Sequence, residues 1–484
     1  MKRLLTILEV SQKQAYIFGS NKVADNIVNS AVIAKCLSPE FIKKTLSDKY
    51  DESRNMVYSG GGHTILEFDN EESAKNCVMA LTETIFRKFD GLEVFARTIE
   101  YDRSMTPREN LKALTAKLEA KKSIRRSAFH HGTYGIEKID VNTLKPEVDG
   151  HNEDKALVKQ EEYTEISEMF TPDAYVPALK FEDLGGKKNS SNFIAVIHID
   201  GNGMGKRVDE LYNLIGDGVD WDSVKNALRE FSDGIDQDFK DAYRDMAKEI
   251  ADSLENGKLK GKLDIQKDGK RFFPVRRIIT AGDDICFVTE GRIGLECARI
   301  FISKLSDKRN AVDKKGYAAC AGVAIVHQKY PFYRAYELAE KLCSSAKKAG
   351  AKLSESDDGR NVCAIDWHIE FGEIKDSIEE INKDYIADDG HILTNRPYIV
   401  TADEKVLENI PQSKRYESFA ENIDGIIKCE KEFGNGKVKQ LRGVMKKGEA
   451  ETENYLNFYR LKDKIRTEDY IFDAIELMDT FLFV

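Results

Sequence analysis

Apolar positions along the chain fall into two alternating kinds of run. Residues 4–10 and 192–200 (NFIAVIHID) are nearly unbroken apolar stretches of strand length, the pattern of strands buried on both faces. Between them, apolar residues recur every three or four positions. Ala74, Val78, Leu81, Ile85 and Phe89 form one such set, and Val224, Leu228, Phe231, Ile235, Phe239, Ala242, Met246 and Ile250 a longer one; each predicts an amphipathic helix. Two β-prone pairs meet at small residues and predict hairpins: 57–68 around Ser59-Gly60-Gly61-Gly62-His63, and 277–289 around Thr280-Ala281-Gly282-Asp283-Asp284. After about residue 400 the spacing is helical to the end. Its final segment places Ile471, Ala474, Ile475, Met478 and Phe481 on one face, as a core-facing helix would.

The order of these elements repeats. Strand, helix, hairpin, helix and strand run through residues 4–99, and the same order runs through 192–327 (strand 192–200, hairpin 277–289, helix 292–306, strand 318–327). Aligning the two turns places Ser59–His63 beside Thr280–Asp284 and Glu9 at the position of Asp200. The chain therefore reads as two copies of one α/β unit, one with acids and one without. Four parts follow: 1–103, a connector at 104–190 with an irregular polar stretch at 146–159, 191–400, and a helical region at 401–484. Residues 258–270 read as an exposed insertion ahead of the second hairpin.

The acids carry the chemistry. Asp283 and Asp284 sit together at a hairpin tip, and Asp200 ends the long apolar strand, at the sheet edge where α/β proteins place their sites. Three carboxylates on two neighbouring strands suit hard divalent cations that also bind a nucleotide triphosphate. A solvated Asp-Asp turn is the alternative for the pair alone. The glycine-rich turn Gly201-Asn202-Gly203-Met204-Gly205-Lys206 leaves backbone N–H groups open to phosphate, with Lys206 as a point charge; a plain strand-to-helix connection is its alternative. His63 and His198 read as structural.

Composition narrows the class. The chain of 484 residues is 41% hydrophobic and 33% charged, with a formal net charge of −10. No apolar run approaches the roughly 18 residues that span a bilayer, and no cleavable leader precedes the first strand, so a cytoplasmic location is expected. Eight cysteines without a CxxC pair argue against a zinc site and a disulfide framework, and read as buried thiols. The acidic balance gives no global footprint for nucleic acid; the basic run 121–126 is either a local one or a solvated helix face.

The strand IHIDGNGMGK, the hairpin AGDDICFV, and the segment CAGVAIVHQKYPFYRA with ELAEKLCSSAKK together resemble the second palm of the polymerase-like large subunit of type III CRISPR effector complexes. YSGGGHTILEF resembles that family's degenerate first palm, and LTNRPYIV at 393–400 the beginning of its C-terminal helical domain. The resemblance implies an α/β (α+β) fold of two ferredoxin-like, nucleotide-cyclase or GGDEF-like palms in tandem. The chain would be a short form without the His-Asp nuclease domain and without the connector's zinc. It implies a nucleotidyltransferase that makes cyclic oligoadenylate messengers from ATP with release of pyrophosphate, in antiviral defence. Two Mg²⁺ or Mn²⁺ ions would be held by Asp200, Asp283, Asp284 and the carbonyl of Gly201. Nucleotide would be bound by Gly201, Asn202, Gly203, Lys206, Gly282 and Lys347, with Ser59, Gly60, Gly61 and Gly62 cradling the acceptor. From the sequence alone Lys347 is equally an exposed helix-terminal lysine. Guide-RNA complex subunits or a second copy of the chain are the implied partners, with no membrane. A non-catalytic or partner-activated scaffold subunit is the competing reading, because Ala281 stands where the motif has its first glycine. A GGDEF-type diguanylate cyclase fits less well, since that enzyme pairs two identical half-sites and this chain carries two unlike ones.

Overall fold

The computed structural model describes residues 2–484 except 21–22, 90, 125–134, 140–151, 187–191, 216–218, 354–361, 373–374, 376, 402–403, 463–464 and 466–470. Arg125 and Arg126 of the basic run, and most of the first half of the polar stretch 146–159, lie outside the described residues.

The apolar run near the N-terminus forms β1 (Leu4–Ser11), followed by α1 (Lys13–Ile17) and α2 (Val23–Lys35). The hairpin is β2 (Met56–Gly60) and β3 (His63–Phe68); α3 (Glu71–Lys88), β4 (Glu93–Glu100) and α4 (Pro107–Lys122) complete the unit. Its strands lie antiparallel in the order β2–β3–β1–β4, and Leu5, Ile7 and Leu8 of the central strand are fully buried, as an unbroken apolar strand requires. The α4 helix starts on a capping box, Thr106 with Glu109, and buries Leu111, Leu114 and Leu118. This helix, placed at the head of the connector by the sequence, packs on β4.

After the connector helix α5 (Asn152–Glu165), the second unit runs β5 (Phe193–Gly201), α6 (Met204–Ile215), α7 (Trp221–Glu255), β6 (Val275–Ala281), β7 (Asp284–Glu290), α8 (Gly294–Ser306), β8 (Ala319–His327) and α9 (Phe332–Leu353). Its strand order, β6–β7–β5–β8, repeats that of the first unit. The registers repeat too. Glu9 pairs with His63 as Asp200 pairs with Asp284, and Gly60 pairs with His63 as Ala281 pairs with Asp284. The duplication read from the order of elements is thus a duplication of register.

The second sheet is extended by β9 (Ala364–Ile369), parallel to β8, and by the short β10 (Tyr398–Ile399). The sequence reading missed β9. The Lys258–Lys270 region is exposed and ends in a small hairpin, Gln266–Lys267 with Lys270–Phe273. The helical region contains α10 (Tyr416–Phe433), α11 (Asn435–Met445), α12 (Glu449–Phe458) and α13 (Phe472–Leu477). Ile471, Ala474, Ile475, Met478 and Phe481 are buried, as their spacing requires, in a core continuous with both palms. All eight cysteines are buried free thiols. Among the described residues, no helix is long and apolar enough to cross a membrane.

The approach of α9 to β8 is unusually close at Gly322. A Cβ there would lie 1.9 Å from the Ala339 carbonyl oxygen and 2.3 Å from the Cys343 nitrogen. Both are helix backbone, so no side chain can rotate away, and only a shift of the whole helix relieves the clash. Gly322→Ala is expected to destabilise the protein by about 3 kcal/mol, at the upper end for overpacked cores. A urea titration reads this as a lower midpoint with an unchanged m-value.

Candidate active site at the second palm hairpin

The site begins with strand pairing. Because β5 and β7 are antiparallel neighbours with Asp200 opposite Asp284, the two carboxylates fall at the same sheet edge. The backbone continues the tie, with the Gly201 N–H donating to the Asp283 carbonyl at 3.1 Å. Gly201 is also needed for space: a Cβ there would lie 3.0 Å from the Asp283 Cβ and 3.3 Å from its Oδ2.

The tight turn from Ala281 to Asp284 places its positive φ, 65°, on Gly282. Ala281 is the last residue of β6 and pairs with Asp284, so its backbone is extended. Alanine in place of the motif's first glycine therefore meets no left-handed backbone strain here, because the left-handed position belongs to the next residue. The corresponding turn of the first palm has positive φ at both Gly61 and Gly62.

The carboxylates are crowded. Burial, then Asp200 and Asp284, raises the Asp283 carboxyl to about 6. Burial, then Asp200 and Glu340, raises Asp284 to about 7. Each acid resists ionisation because its neighbours are acids and water is partly excluded. Asp284 Oδ1 stands 3.4 Å from His198 Nδ1, yet both atoms are buried without a hydrogen-bond partner. Burial holds the His198 imidazole below its ordinary value, so it offers no cation to the carboxylates.

Positive charge comes from α9. Lys347 Nζ donates to Asp200 Oδ2 at 2.5 Å and to the Gly201 carbonyl at 3.0 Å. Glu340 and Tyr336 lie on the same face of that helix, two and three steps of three to four residues toward its start from Lys347, and the Tyr336 ring meets His198 edge-on at 5.6 Å. The first palm meets this face through α1: Gln14 Nε2 donates to Glu340 Oε1 at 2.9 Å, and Phe18 packs on Tyr336 at 4.6 Å. Glu340, Tyr336 and Gln14 were missed by the sequence reading. The helical spacing of 336, 340 and 347 was the available signal.

Of the residues singled out in the sequence, Asp200, Gly201, Asp283, Asp284 and Lys347 come together, and Gly282 forms their turn. Asn202 shapes the strand-to-helix bend, its N–H donating to the Ala318 carbonyl (2.8 Å) and its Nδ2 to that of Val362 (2.9 Å). Gly203 supplies a positive φ of 66° there. Lys206 is exposed on the first turn of α6; its neighbour Arg207 is the buried cation, held by Asp313 at 2.8 and 2.9 Å. Ser59 donates to the Leu37 carbonyl at 3.0 Å, and a Cβ on Gly60 would lie 3.8 Å from Ser232 Oγ on α7. Burial raises the Tyr58 phenol above its ordinary value, and Asp283 adds to the shift, so the first palm's hairpin lies within electrostatic reach of the acids. His63 is partly buried with its Nε2 unpartnered, and burial lowers it to about 4.

The donor set is hard oxygen: three carboxylates and a backbone carbonyl. Asp284 Oδ1 has no hydrogen-bond partner, and Asp200 and Gly201 already hold one cation, the Lys347 ammonium. These features fit a divalent ion such as Mg²⁺ or Mn²⁺. Among the described residues, no three acid, imidazole or thiol side chains converge closely enough to hold an ion as they stand.

Fold and site define a class first: a protein of two palms in tandem with the acids on the second. More narrowly, residues 193–354 match the family model described as Cas10/Cmr2, second palm domain. No curated protein matches the chain. Among solved structures, a Csm1–Csm4 cassette in complex with pppApA matches with a TM-score of 0.55 and 15% identity, over 99% of this chain and 69% of that chain. Cassettes in complex with pppApApA and with cA4 match with TM-scores of 0.54 and 0.53, each at 14% identity over the same shares. Against the cassette in complex with cA3, the chain spans only 54% of the matched chain's length. At these identities the structural likeness is one of fold. The resemblance to the type III large subunit is borne out to this extent: residues 193–354 match that family's second palm, and the chain shares a fold with those structures.

Proposed function

We propose that this chain is a metal-dependent nucleotidyltransferase that joins ATP units into cyclic oligoadenylates, in the setting of a type III CRISPR effector complex. The observation that carries the reading is the convergence of Asp200, Asp283, Asp284 and the Gly201 carbonyl at one sheet edge, beside Lys347. Asp200, Asp283, Asp284 and the Gly201 carbonyl would hold two Mg²⁺ or Mn²⁺ ions. When bound, these supply charge neutralisation on the triphosphate and acidify the attacking ribose hydroxyl.

The chain's own residues do the rest by position. The β6–β7 turn holds Asp283 and Asp284 at the same sheet edge as Asp200, so the donor's α-phosphorus would be presented at a fixed place. Lys347 can reach an oxygen of the departing pyrophosphate, where negative charge grows. The acceptor's hydroxyl oxygen forms a bond to that phosphorus as the bond to pyrophosphate breaks, and the hydroxyl proton passes to water. The first palm, with Glu9 and His63 where the second has Asp200 and Asp284, supplies an acceptor cradle at Ser59, Gly60, Gly61 and Gly62 and no second metal centre.

The scaffold reading leaned on Ala281, and the extended backbone at that residue, which puts no left-handed strain on an alanine, supports the catalytic reading over it. Ligands named in the matched cassettes (pppApA, pppApApA and cA4) agree with adenylate chemistry for those proteins, and by analogy favour it here. The test is incubation of the purified chain, alone and with effector-complex subunits, with Mn²⁺ and each α-labelled nucleoside triphosphate, the products being resolved by mass spectrometry. Cyclic adenylates formed from ATP alone among the four are the expected result; no product in either setting would overturn the proposal.

A further inference from the structure

The contact at the centre of the second palm's site is the one Lys347 makes. Its ammonium bonds Asp200 Oδ2 and the Gly201 carbonyl, which are two of the four groups that the proposed metal centre needs. A cation arriving from solution meets ligands already taken.

The first palm holds the same arrangement in a closed form. Lys122 Nζ lies 2.8 Å from Glu9 Oε1, and Glu9 occupies the position of Asp200. Lys122 and Lys347 are each the sixteenth residue of the helix that follows the fourth strand of their unit, counting from Pro107 and from Phe332. An acid at the end of the first strand, capped by a lysine from that helix, is thus built into both copies. In the first palm the pairing is complete, since His63 faces Glu9 where the second palm has an acid. In the second, one ammonium faces Asp200, with Asp283, Asp284 and Glu340 close by, so negative charge is left over for another cation.

Lys347 is also able to leave. Its side chain is 30% exposed, its stem is flexible, and its partner Asp200 is 39% exposed. What it needs on leaving is another anion, and a nucleotide triphosphate bound at the same edge is one.

We propose that Lys347 gates the metal centre: it caps Asp200 and the Gly201 carbonyl in the nucleotide-free protein and yields them when a triphosphate takes up its ammonium. This rests on reading the acid cluster as a metal centre. Metal and nucleotide then bind cooperatively, each favouring the other by the same factor. The protein holds metal poorly until its substrate is present.

The test measures Mn²⁺ binding by electron paramagnetic resonance on the full chain, first with Mn²⁺ alone. Binding that persists in Asp283→Asn/Asp284→Asn is subtracted as belonging elsewhere. Lys347→Gln is expected to bind Mn²⁺ at least about tenfold more tightly than the unaltered protein, since a charge-assisted hydrogen bond no longer has to be broken. Lys347→Arg, which keeps the charge, is expected to stay weak. A gain of affinity in one variant and its absence in the other cannot come from misfolding. Lys347→Gln binding no more tightly than the unaltered protein would overturn the gate. A second measurement adds an ATP analogue with an imido β–γ bridge. Protein-bound Mn²⁺ appearing in the unaltered chain supports the gate. Its absence from every variant, even with the analogue, would sink the metal centre itself, a failure distinct from that of the gate.

Discussion

Asp283→Asn/Asp284→Asn is expected to abolish adenylate synthesis, by at least about 10³-fold, while the protein stays folded. The size follows from the several kilocalories per mole of charge stabilisation that bound metal supplies to phosphoryl transfer, each 1.4 kcal/mol being about tenfold in rate. The fold survives because the turn depends on the positive φ of Gly282 and on strand pairing, and on neither carboxylate. The metal-free double variant should in fact be the more stable protein above neutral pH. Both acids have folded values above the ordinary carboxylate range, about 6 and about 7. Their contribution to stability is therefore fully present below pH 4 and is lost as pH rises through 6 and 7, where the folded protein must give up protons it holds more tightly than the unfolded chain does. Asparagine carries no such cost. Thermal melts without metal at pH 5 and pH 8 should show the gap between variant and parent widening with pH. Melts that move in parallel would contradict the crowding of charge inferred for the site. Product yields read by mass spectrometry test the catalytic half of the prediction.

Arg396→Met should be the most damaging single change outside the site, costing about 3–5 kcal/mol. Arg396 lies between the second palm and α13. Its Nε is 3.1 Å from Asp473 Oδ1, an Nη is 3.4 Å from Glu476 Oε2, and Nη1 donates to the Trp367 carbonyl on β9 at 2.6 Å. Its guanidinium also covers the Tyr385 ring at 4.6 Å. Asp473 is fully buried, and burial raises it to about 6 even with Arg396 alongside, which shows how much desolvation the guanidinium offsets. Without it, two buried carboxylates lose the guanidinium that pairs with both of them. The remedy distinguishes charge from packing: adding Asp473→Asn and Glu476→Gln to Arg396→Met should restore much of the loss. Hydrogen bonds from Tyr398, the Asn395 N–H and Tyr385 to those side chains can persist after the charges are gone. Urea midpoints of the parent, the single variant and the triple variant provide the comparison; a triple variant no better than the single one would assign the loss to packing.

Much of the architecture was legible in the chain because the forces that make it are local or periodic. The unbroken run 193–199 can only be a strand buried on both faces, and the three-to-four spacing from Val224 to Ile250 can only bury one side of a helix. Ser59–His63 and Thr280–Asp284 announce tight turns by their small and acidic residues, and the repeated order of elements exposes the duplication before any contact is known. The three acids follow from the same logic, since each stands at the end of a recognisable strand or in the turn of a recognisable hairpin. Beyond that, side chains distant in sequence had to be brought together. The sequence shows Lys347 as one lysine among many on a helix; only the crossing of α9 over β8, as close as Gly322 permits, sets its ammonium on Asp200. The β9 strand was hidden because its polar residues, Asp366 and His368, break the apolar run that would announce it, and they are buried by partners far away in the chain. Asp473 and Glu476 look like the solvated side of a short terminal helix until Arg396 arrives from the second palm. Periodicity specifies which face of an element is apolar; which charge meets which across elements is decided only by how the elements pack.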